Sequence, residues 1–182
     1  MKFLHEKHFI HRDIKPENFC AGKQPNDSSI YIIDLGLSKR YRDEQTRIHV
    51  PYKEGKTLTG TLRYGSKNSH EGIESTRRDD LESVGYMLIY FLKGVLPWQG
   101  LNNVDKEYKH IRIKELKNEI PLSKLCEGLP NEFEQYLKHC YGLQFDEEPN
   151  YKFLIELFTN LFNSKDYEMD GNYDWVTAVI II

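Results

Sequence analysis

The sequence predicts an α+β fold in which a mainly helical body carries a short β-ribbon near the N-terminus. Apolar side chains recur at three- and four-residue spacing through the second half of the 182-residue chain, which is typical of helices packed on a core. The first third contains a short β-prone run behind a turn-forming segment. Hydrophobic residues make up 39% of the chain and charged residues 29%, which is enough apolar surface to bury a core.

The N-terminal part is predicted to form the end of a helix, a polar loop and a hairpin, in that order. Pro16 prevents further helix and favours an extended residue before it, so residues 11–18 are expected to form the polar loop. Residues 30–33 are an apolar, β-prone run, and turn-forming residues occupy positions 25–29. We therefore expect residues 19–21 to pair with this run as a hairpin, which would place both flanking loops at one edge.

The helical body begins with the strongest amphipathic pattern in the chain, over residues 79–92. Three further helices are expected over residues 104–116, 131–140 and 151–162, separated by segments that contain proline and glycine. Residues 37–64, in contrast, are rich in charge and have no clear period. They are expected to form a long ordered loop, which is uncommon without a function.

Four polar residues fall on the two loops that flank the predicted hairpin. Asp13, Lys15 and Asn18 share the first loop, and Asp34 ends the second strand. Amide and carboxylate oxygens suit Mg²⁺, which keeps phosphate oxygens of a substrate in its shell. A carboxylate without a metal can accept a hydroxyl proton, and a nearby ammonium group can neutralise a transferring phosphoryl group. These residue types together indicate phosphoryl transfer.

The order of these residues resembles the loop pair of protein kinases. Residues 11–18 read H-R-D-I-K-P-E-N and match the catalytic-loop pattern H-R-D-x-x-x-x-N. Residues 34–36 read D-L-G and stand where kinases have the metal-binding D-F-G, with Leu35 in place of Phe. The pattern is specific because it sets several residue types across two loops in the right order, whereas D-L-G alone would mean little.

Later segments are similar to those of the casein kinase I family. They read T-G-T-L-R-Y at 59–64, T-R-R-D-D-L-E-S at 76–83 and L-P-W-Q-G at 96–100. Residues 66–68 read S-K-N at the place where most kinases have A-P-E. The resemblance runs from about residue 3 to residue 175 and implies a protein kinase-like fold, namely the mainly helical C-terminal lobe of a Ser/Thr kinase with the β-ribbon at its cleft.

The resemblance implies a role for each residue of the two loops. Asp13 is expected to be the catalytic base, and Lys15 to contact the γ-phosphate of ATP during catalysis. Asn18 and Asp34 are expected to hold Mg²⁺ beside the nucleotide. Glu17, where relatives often have Asp, lies outside the metal shell and is expected to face the nucleotide through its backbone.

Two residues outside these loops are expected to support them. Thr61 would brace Asp13 and Lys15 and so belongs to the catalytic set that the resemblance implies. Asp80, at the start of the predicted central helix, would accept hydrogen bonds from backbone N–H groups of the catalytic loop. Both expectations come from the family likeness, and both require long-range contacts.

The resemblance also implies a basic pocket for the substrate. In the casein kinase I family, residues that match Arg63, Gly100 and Lys109 receive a phosphate or an acidic group. Protein substrates with acidic or already phosphorylated residues upstream of the target are therefore expected to be favoured. Residues 34–63 carry seven Lys and Arg against four Asp and Glu, which agrees with an anionic partner.

The chain departs from the family pattern most strongly at its two ends. No glycine pair has the spacing of a G-x-G-x-x-G loop, so the lobe that covers ATP is expected to be missing. We expect residues 1–175 to form a partial kinase domain and residues 176–182 to form a divergent apolar tail. A second class of function therefore stays open, in which a catalytically inactive kinase lobe acts as a binding module.

Composition argues against several other classes of protein. The net charge of −3 does not favour a nucleic-acid or membrane-surface binder, and the longest apolar run, residues 176–182, is too short to span a membrane. No signal peptide is expected at residues 1–10, and the three cysteines are too scattered for a disulfide framework. We expect a monomer in the cytoplasm, the nucleus or both. His5, His8 and His11 have a spacing that would suit a zinc face, although the kinase pattern already explains His11.

Overall fold

The computed structural model describes residues 1–22, 29–101, 105–171 and 173 of the chain. The fold is α+β and mainly helical, as the sequence predicts. Its helices, in chain order, are α1 (Lys2–Glu6), α2 (Lys67–His70), α3 (Arg77–Lys93), α4 (Lys106–Glu119), α5 (Leu122–Leu125), α6 (Asn131–Gly142) and α7 (Tyr151–Ser164). Its strands are β1 (Phe9–Ile10), β2 (Phe19–Ala21), β3 (Ile30–Ile32) and β4 (Lys39–Arg40).

The strands form two antiparallel ribbons where the sequence predicts one. In the predicted hairpin, β2 pairs with β3, and Phe19 lies opposite Ile32. Residues 23–28, which include most of the predicted turn, lie outside the described part of the chain. The second ribbon joins β1 to β4, with Phe9 opposite Arg40. The prediction of a plain loop over residues 37–64 is therefore wrong at β4, because a two-residue strand has no pattern of its own to detect.

Helix α3 forms the centre of the body and packs closely against α6. A Cβ atom on Gly85 of α3 would lie 2.5 Å from Cδ2 of Leu137, so the glycine allows the two helices to approach. Tyr86, Ile89 and Leu137 are fully buried in the resulting core. The helix begins after Thr76, whose backbone N–H donates to Asp79 Oδ2 over 2.7 Å. Burial of this kind supplies most of the stability of an amphipathic helix.

The other helices follow the predicted pattern with shifted ends. Helix α4 runs on to Glu119, and residue 104, its predicted start, lies outside the described residues. Helices α2 and α5 are missing from the prediction, because four residues are too few to show a helical period. The predicted apolar tail at 176–182 is also outside the described residues. Within the described ranges, no helix has the length and apolar character that a membrane crossing requires.

Candidate active site

The catalytic loop is anchored on the first turn of α3. Asp80, 2% exposed, accepts the backbone N–H of His11 at Oδ2 over 2.7 Å and that of Arg12 at Oδ1 over 2.9 Å. This is the long-range support that the sequence predicts for Asp80. Arg12 lies in the left-handed region with φ +68°, a conformation that such surrounding contacts can hold in place.

Histidines extend this anchor in two further directions. His5 Nε2 lies 2.9 Å from Asp80 Oδ2, and its Nδ1 lies 2.7 Å from the hydroxyl of Tyr151 on α7. The ring of His11 reaches the carbonyl of Ile33, at the end of β3, over 3.1 Å. The histidines therefore have separate partners, and the described residues contain no cluster of three metal-ligating side chains. The zinc alternative is accordingly not supported by the geometry of the described chain.

Asp13 is buried and held by contacts to both of its carboxylate oxygens. Oδ1 accepts the backbone N–H of Thr61 over 2.9 Å and its hydroxyl over 2.8 Å. Oδ2 accepts the ammonium group of Lys15 over 2.5 Å. Burial by itself raises the pKa of Asp13, but the hydrogen bonds from Lys15 and Thr61 outweigh it and hold the pKa below its usual value. The carboxylate is therefore ionised at neutral pH and able to accept a proton.

Lys15 and Thr61 approach Asp13 from different segments of the chain. The hydrogen bond to Asp13 raises the pKa of Lys15, so the ammonium group keeps its charge. Thr61 contacts Asp13 directly and is linked to Lys15 through that carboxylate. The structure thus brings together the three residues that the sequence predicts as the catalytic set. Their chemical roles stay predictions.

The two predicted metal ligands lie on the hairpin side of the loop. The amide N–H₂ of Asn18 donates to the carbonyl of Asp13 over 2.8 Å, which turns its oxygen away from that carbonyl. The backbone carbonyl of Asn18 accepts the N–H of Ile33, so Asn18 lies across the hairpin from the residue before Asp34. Asp34 is exposed, and after the hydrogen bond to Asp13 its negative charge also helps to raise the pKa of Lys15.

The chemistry of this donor pair fits a magnesium–nucleotide complex. Asp34 has φ +59°, and among the described residues the turn uses its Oδ1, which accepts the N–H of Gly36 over 3.2 Å. One amide oxygen and one carboxylate are too few to enclose a cation with protein groups alone. They suit Mg²⁺, which is usually bound by one or two carboxylates together with substrate phosphates.

The three residues predicted to bind the substrate's anionic group line one cavity of about 460 Å³. Arg63, Gly100 and Lys109 come from three segments, and Thr61 and Glu17 contribute to the same wall. The guanidinium of Arg63 lies over the rings of Tyr64 and Tyr90, 5.7 Å from each centre. Glu17, predicted to face the nucleotide, thus also borders this pocket, where its carboxylate lowers the positive potential.

A larger cavity of about 700 Å³ lies between α1, α3, α6 and α7. Its described lining is almost wholly apolar and includes no Asp, Glu or His side chain. A large apolar cavity is a usual first choice for an active site, but this lining offers no carboxylate or imidazole to act as a general base. The chemistry therefore belongs to the loops around Asp13.

The sequence of the chain matches the model of the protein kinase domain over residues 1–157. The match covers all of the candidate site, from the loop that carries Asp13 to α4. The chain belongs to the protein kinase domain family. Such domains phosphorylate proteins with ATP, usually together with Mg²⁺, so the chain is a kinase and a transferase by family.

Gly60 allows the segment that carries Thr61 to approach the catalytic loop closely. It has φ +87°, and a Cβ atom there would lie 2.4 Å from the carbonyl oxygen of Arg12 and 2.9 Å from Asp13 Oδ1. A side chain at this position would therefore push Thr61 away from Asp13. The T-G-T pattern contains this glycine, but its close approach to the catalytic loop is visible only in the folded chain.

Lys117 is a structural residue of the kinase domain that the sequence analysis missed. It is 2% exposed, and its ammonium group donates to the carbonyls of Leu62 and Gly65 over 3.0 and 2.5 Å. Burial lowers the pKa of Lys117, and attraction to Glu82 opposes that shift. Its spacing could have indicated this burial. Lys117 lies four residues after Ile113, so the two side chains share one face of α4.

Proposed function

We propose that this kinase domain phosphorylates serine and threonine hydroxyls of proteins and is of the casein kinase I type. The observation that carries the proposal is the arrangement of Asp13 with Thr61 on one carboxylate oxygen and Lys15 on the other. A carboxylate held in this way and ionised at neutral pH can orient the substrate hydroxyl and accept its proton. The neighbouring ammonium group can offset negative charge on the transferring phosphoryl group.

The nucleotide side of the site is assigned to Asn18 and Asp34. These residues would hold Mg²⁺, which would neutralise charge on the phosphates of ATP. Asn18 is kept in place by its hydrogen bond to the backbone of the residue proposed as the base, so ligand and base positions are coupled. The negative charges of Asp13 and Asp34 both act on the Lys15 ammonium group, which suits a group that contacts the γ-phosphate.

The preference for acidic or phosphorylated substrates is supported by the cavity around Arg63. Arg63 and Lys109 contribute positive charge, and Gly100, with φ +80°, brings backbone without a side chain to the same wall. Thr61 borders both this cavity and Asp13, so a substrate anchored by an anionic group would extend toward the base. Glu17 in the wall would make the preference weaker than two cations alone would produce.

The Asp13→Asn variant tests the catalytic assignment. We expect the rate of peptide phosphorylation with Mg-ATP to fall by roughly 10²–10⁴-fold, because the amide cannot accept the hydroxyl proton. Asp166→Asn is a matched control, since Asp166 is exposed and asparagine tolerates its φ of +54°. Equal rates for Asp13→Asn and the unaltered chain would remove the catalytic claim.

The Arg63→Gln variant tests the substrate preference separately. We expect KM for a peptide with a phosphoserine upstream of the target to rise about tenfold, as one charge-assisted contact is lost. KM for the same peptide without the phosphate should change little. Parallel changes for both peptides would assign Arg63 to general support of the loop and would not support a casein kinase I type preference.

A catalytically inactive lobe that binds partners is the second candidate, and exposed apolar side chains near Asp34 favour it. Ile30 is 55% exposed and Leu35 is 51% exposed, which leaves an apolar surface beside the nucleotide side. Mg-ATP separates the two candidates, because a ligand that binds only the folded state raises the melting temperature. A clear rise supports the kinase proposal, and no rise at millimolar Mg-ATP supports the binding module.

A further inference from the structure

Two arginines converge on one buried histidine outside the residues assigned to phosphoryl transfer. His8 is 6% exposed, and Arg42 Nε donates to its Nδ1 over 2.9 Å. Arg47 Nη1 lies 3.2 Å from the same Nδ1 and 2.9 Å from Nε2. The two guanidinium nitrogens are therefore no more than about 6 Å apart, the sum of their distances to Nδ1.

Neither guanidinium has a carboxylate within ion-pair distance among the residues that the structure describes. The nearest acidic residues along the chain have other partners. Glu44 pairs with Arg40 over 3.1 Å. Asp43 Oδ1 accepts two backbone N–H groups and a hydroxyl from Gln45 and Thr46 within its own turn. In the part of the chain that the structure describes, two like charges are thus held close together without an ion-paired carboxylate.

The backbone holds the arginine pair in place before any ligand arrives. The N–H of Asp43 donates to the carbonyl of Ile48, and the N–H of Arg47 donates to the carbonyl of Asp43. The N–H of Tyr41 donates to the carbonyl of His8, which ties this turn to the segment before the catalytic loop. A ligand that bridges the arginines therefore has little backbone ordering to supply.

The two guanidinium groups also act on the ring of His8. Burial, and after it the positive charges of Arg47 and Arg42, lower the pKa of His8, and the charge of Glu44 opposes this shift. The ring is therefore neutral at pH 7, with one nitrogen as donor and the other as acceptor. A neutral imidazole can accept a hydrogen bond from a guanidinium, but it cannot balance two positive charges. An oxyanion can do both.

We propose that Arg42 and Arg47 form a binding site for the phosphate group of a phosphorylated protein segment. Guanidinium groups match phosphate oxygens in charge and geometry. Asp43 and Glu44 adjoin the pair and would repel an extended polyanion, so a single phosphate on an otherwise neutral segment is the best fit. The site goes beyond the proposed catalytic function, since it binds phosphate without transferring it.

The test measures binding by the full chain that carries Asp13→Asn and Arg63→Gln, so that neither catalysis nor the proposed substrate pocket interferes. The probe is a short uncharged peptide with one phosphoserine, and its unphosphorylated form and inorganic phosphate are compared with it. We expect Arg42→Gln and Arg47→Gln each to weaken phosphopeptide binding about tenfold in calorimetry. Arg47→Lys should lose less, because it keeps the charge but lacks the planar fork.

Arg112→Gln is the matched control, since Arg112 is a surface arginine on α4 that pairs with Glu115 over 2.9 Å. In nuclear magnetic resonance spectra, the phosphopeptide should raise the pKa of His8 by neutralising the arginines, and inorganic phosphate should do so more weakly. Equal weakening by Arg112→Gln, or no measurable phosphopeptide binding in the Arg63→Gln background, would overturn the site. Inorganic phosphate binding as tightly as the phosphopeptide would overturn the assignment to a protein segment.

Melting temperatures of the Arg42 and Arg47 variants distinguish lost binding from lost folding. A variant that melts like the unaltered chain and still binds the phosphopeptide fully contradicts the proposal. Because the measurement involves no phosphoryl transfer, its outcome is independent of the activity of Asp13. A failed kinase assay would leave the phosphate site standing, and a failed binding assay would leave the kinase proposal standing.

Discussion

The catalytic loop and the turn that carries Asp34 belong to one candidate site, yet the molecule holds them in different ways. Asp13 is 6% exposed and is held by Thr61, while Asp80 on α3 anchors the residues before it. The turn after Asp34 has hydrogen bonds within itself, and Leu35 is 51% exposed. The proposed base is therefore positioned by the helical body, whereas the proposed metal ligand lies on an exposed turn at the end of β3.

This difference has an energetic consequence. A hydrogen bond lost from a buried carboxylate leaves a polar group without water or a partner, which costs more than losing an exposed bond. The loop around Asp13 should therefore resist rearrangement, and the Asp34 turn should adjust easily when a nucleotide and its metal arrive.

Asp80→Asn should produce the largest loss. Asparagine keeps one acceptor oxygen, whereas Asp80 uses two, one for the N–H of His11 and one for that of Arg12. The N–H₂ group of the amide would therefore face one of these N–H donors. We expect the free energy of unfolding to fall by about 3 kcal/mol, measured by urea denaturation. Asp34→Asn is the comparison and should change it by less than about 0.5 kcal/mol. Similar losses for the two variants would refute the contrast between loop and turn.

Gly60→Ala should produce the next largest loss. The new Cβ would meet the carbonyl oxygen of Arg12, and the backbone would be strained at φ +87°. We expect a loss of about 2 kcal/mol in the free energy of unfolding. Gly55→Ala separates the two causes, because Gly55 has φ +70° but no atom within 4 Å of the added Cβ. It should lose only about 1 kcal/mol, and equal losses would show that strain alone matters.

Mild acid should lower the free energy of unfolding by a smaller amount. Burial and the charge of Lys117 lower the pKa of His70 to about 3. The unfolded chain binds this proton near pH 6.5, so stability is complete above that pH and falls as pH drops toward 3. We expect a loss of about 1 kcal/mol at pH 5.5 relative to pH 8.

His70→Gln identifies the source of that pH dependence. The ring of His70 contacts the carbonyl of Leu62, next to the Thr61 that holds Asp13. The variant should be less stable at pH 8, but its stability should fall less between pH 8 and pH 5.5. An unchanged pH dependence in denaturation curves would place the acid-sensitive group elsewhere.

Elements and motifs with a local pattern could be predicted from the order of neighbouring residues. The polar order of residues 11–18 and 34–36 predicts the catalytic chemistry, and apolar spacing predicts α3, α6 and α7 within a few residues. Family likeness added Thr61 and Asp80, which the spacing of residues alone would not connect to Asp13. These features could be predicted because helical periods and short motifs are properties of neighbouring residues.

Contacts between groups that are distant in the sequence became visible only in the folded chain. Three contacts join segments that are far apart in the chain. They are the pairing of β1 with β4, the approach of Gly60 to the catalytic loop, and the hydrogen bond from Lys117 to the carbonyl of Gly65. The meeting of Arg42 and Arg47 at His8 is of the same kind. Such contacts depend on how the elements pack, because two-residue strands and single charged side chains carry no periodic signal of their partners.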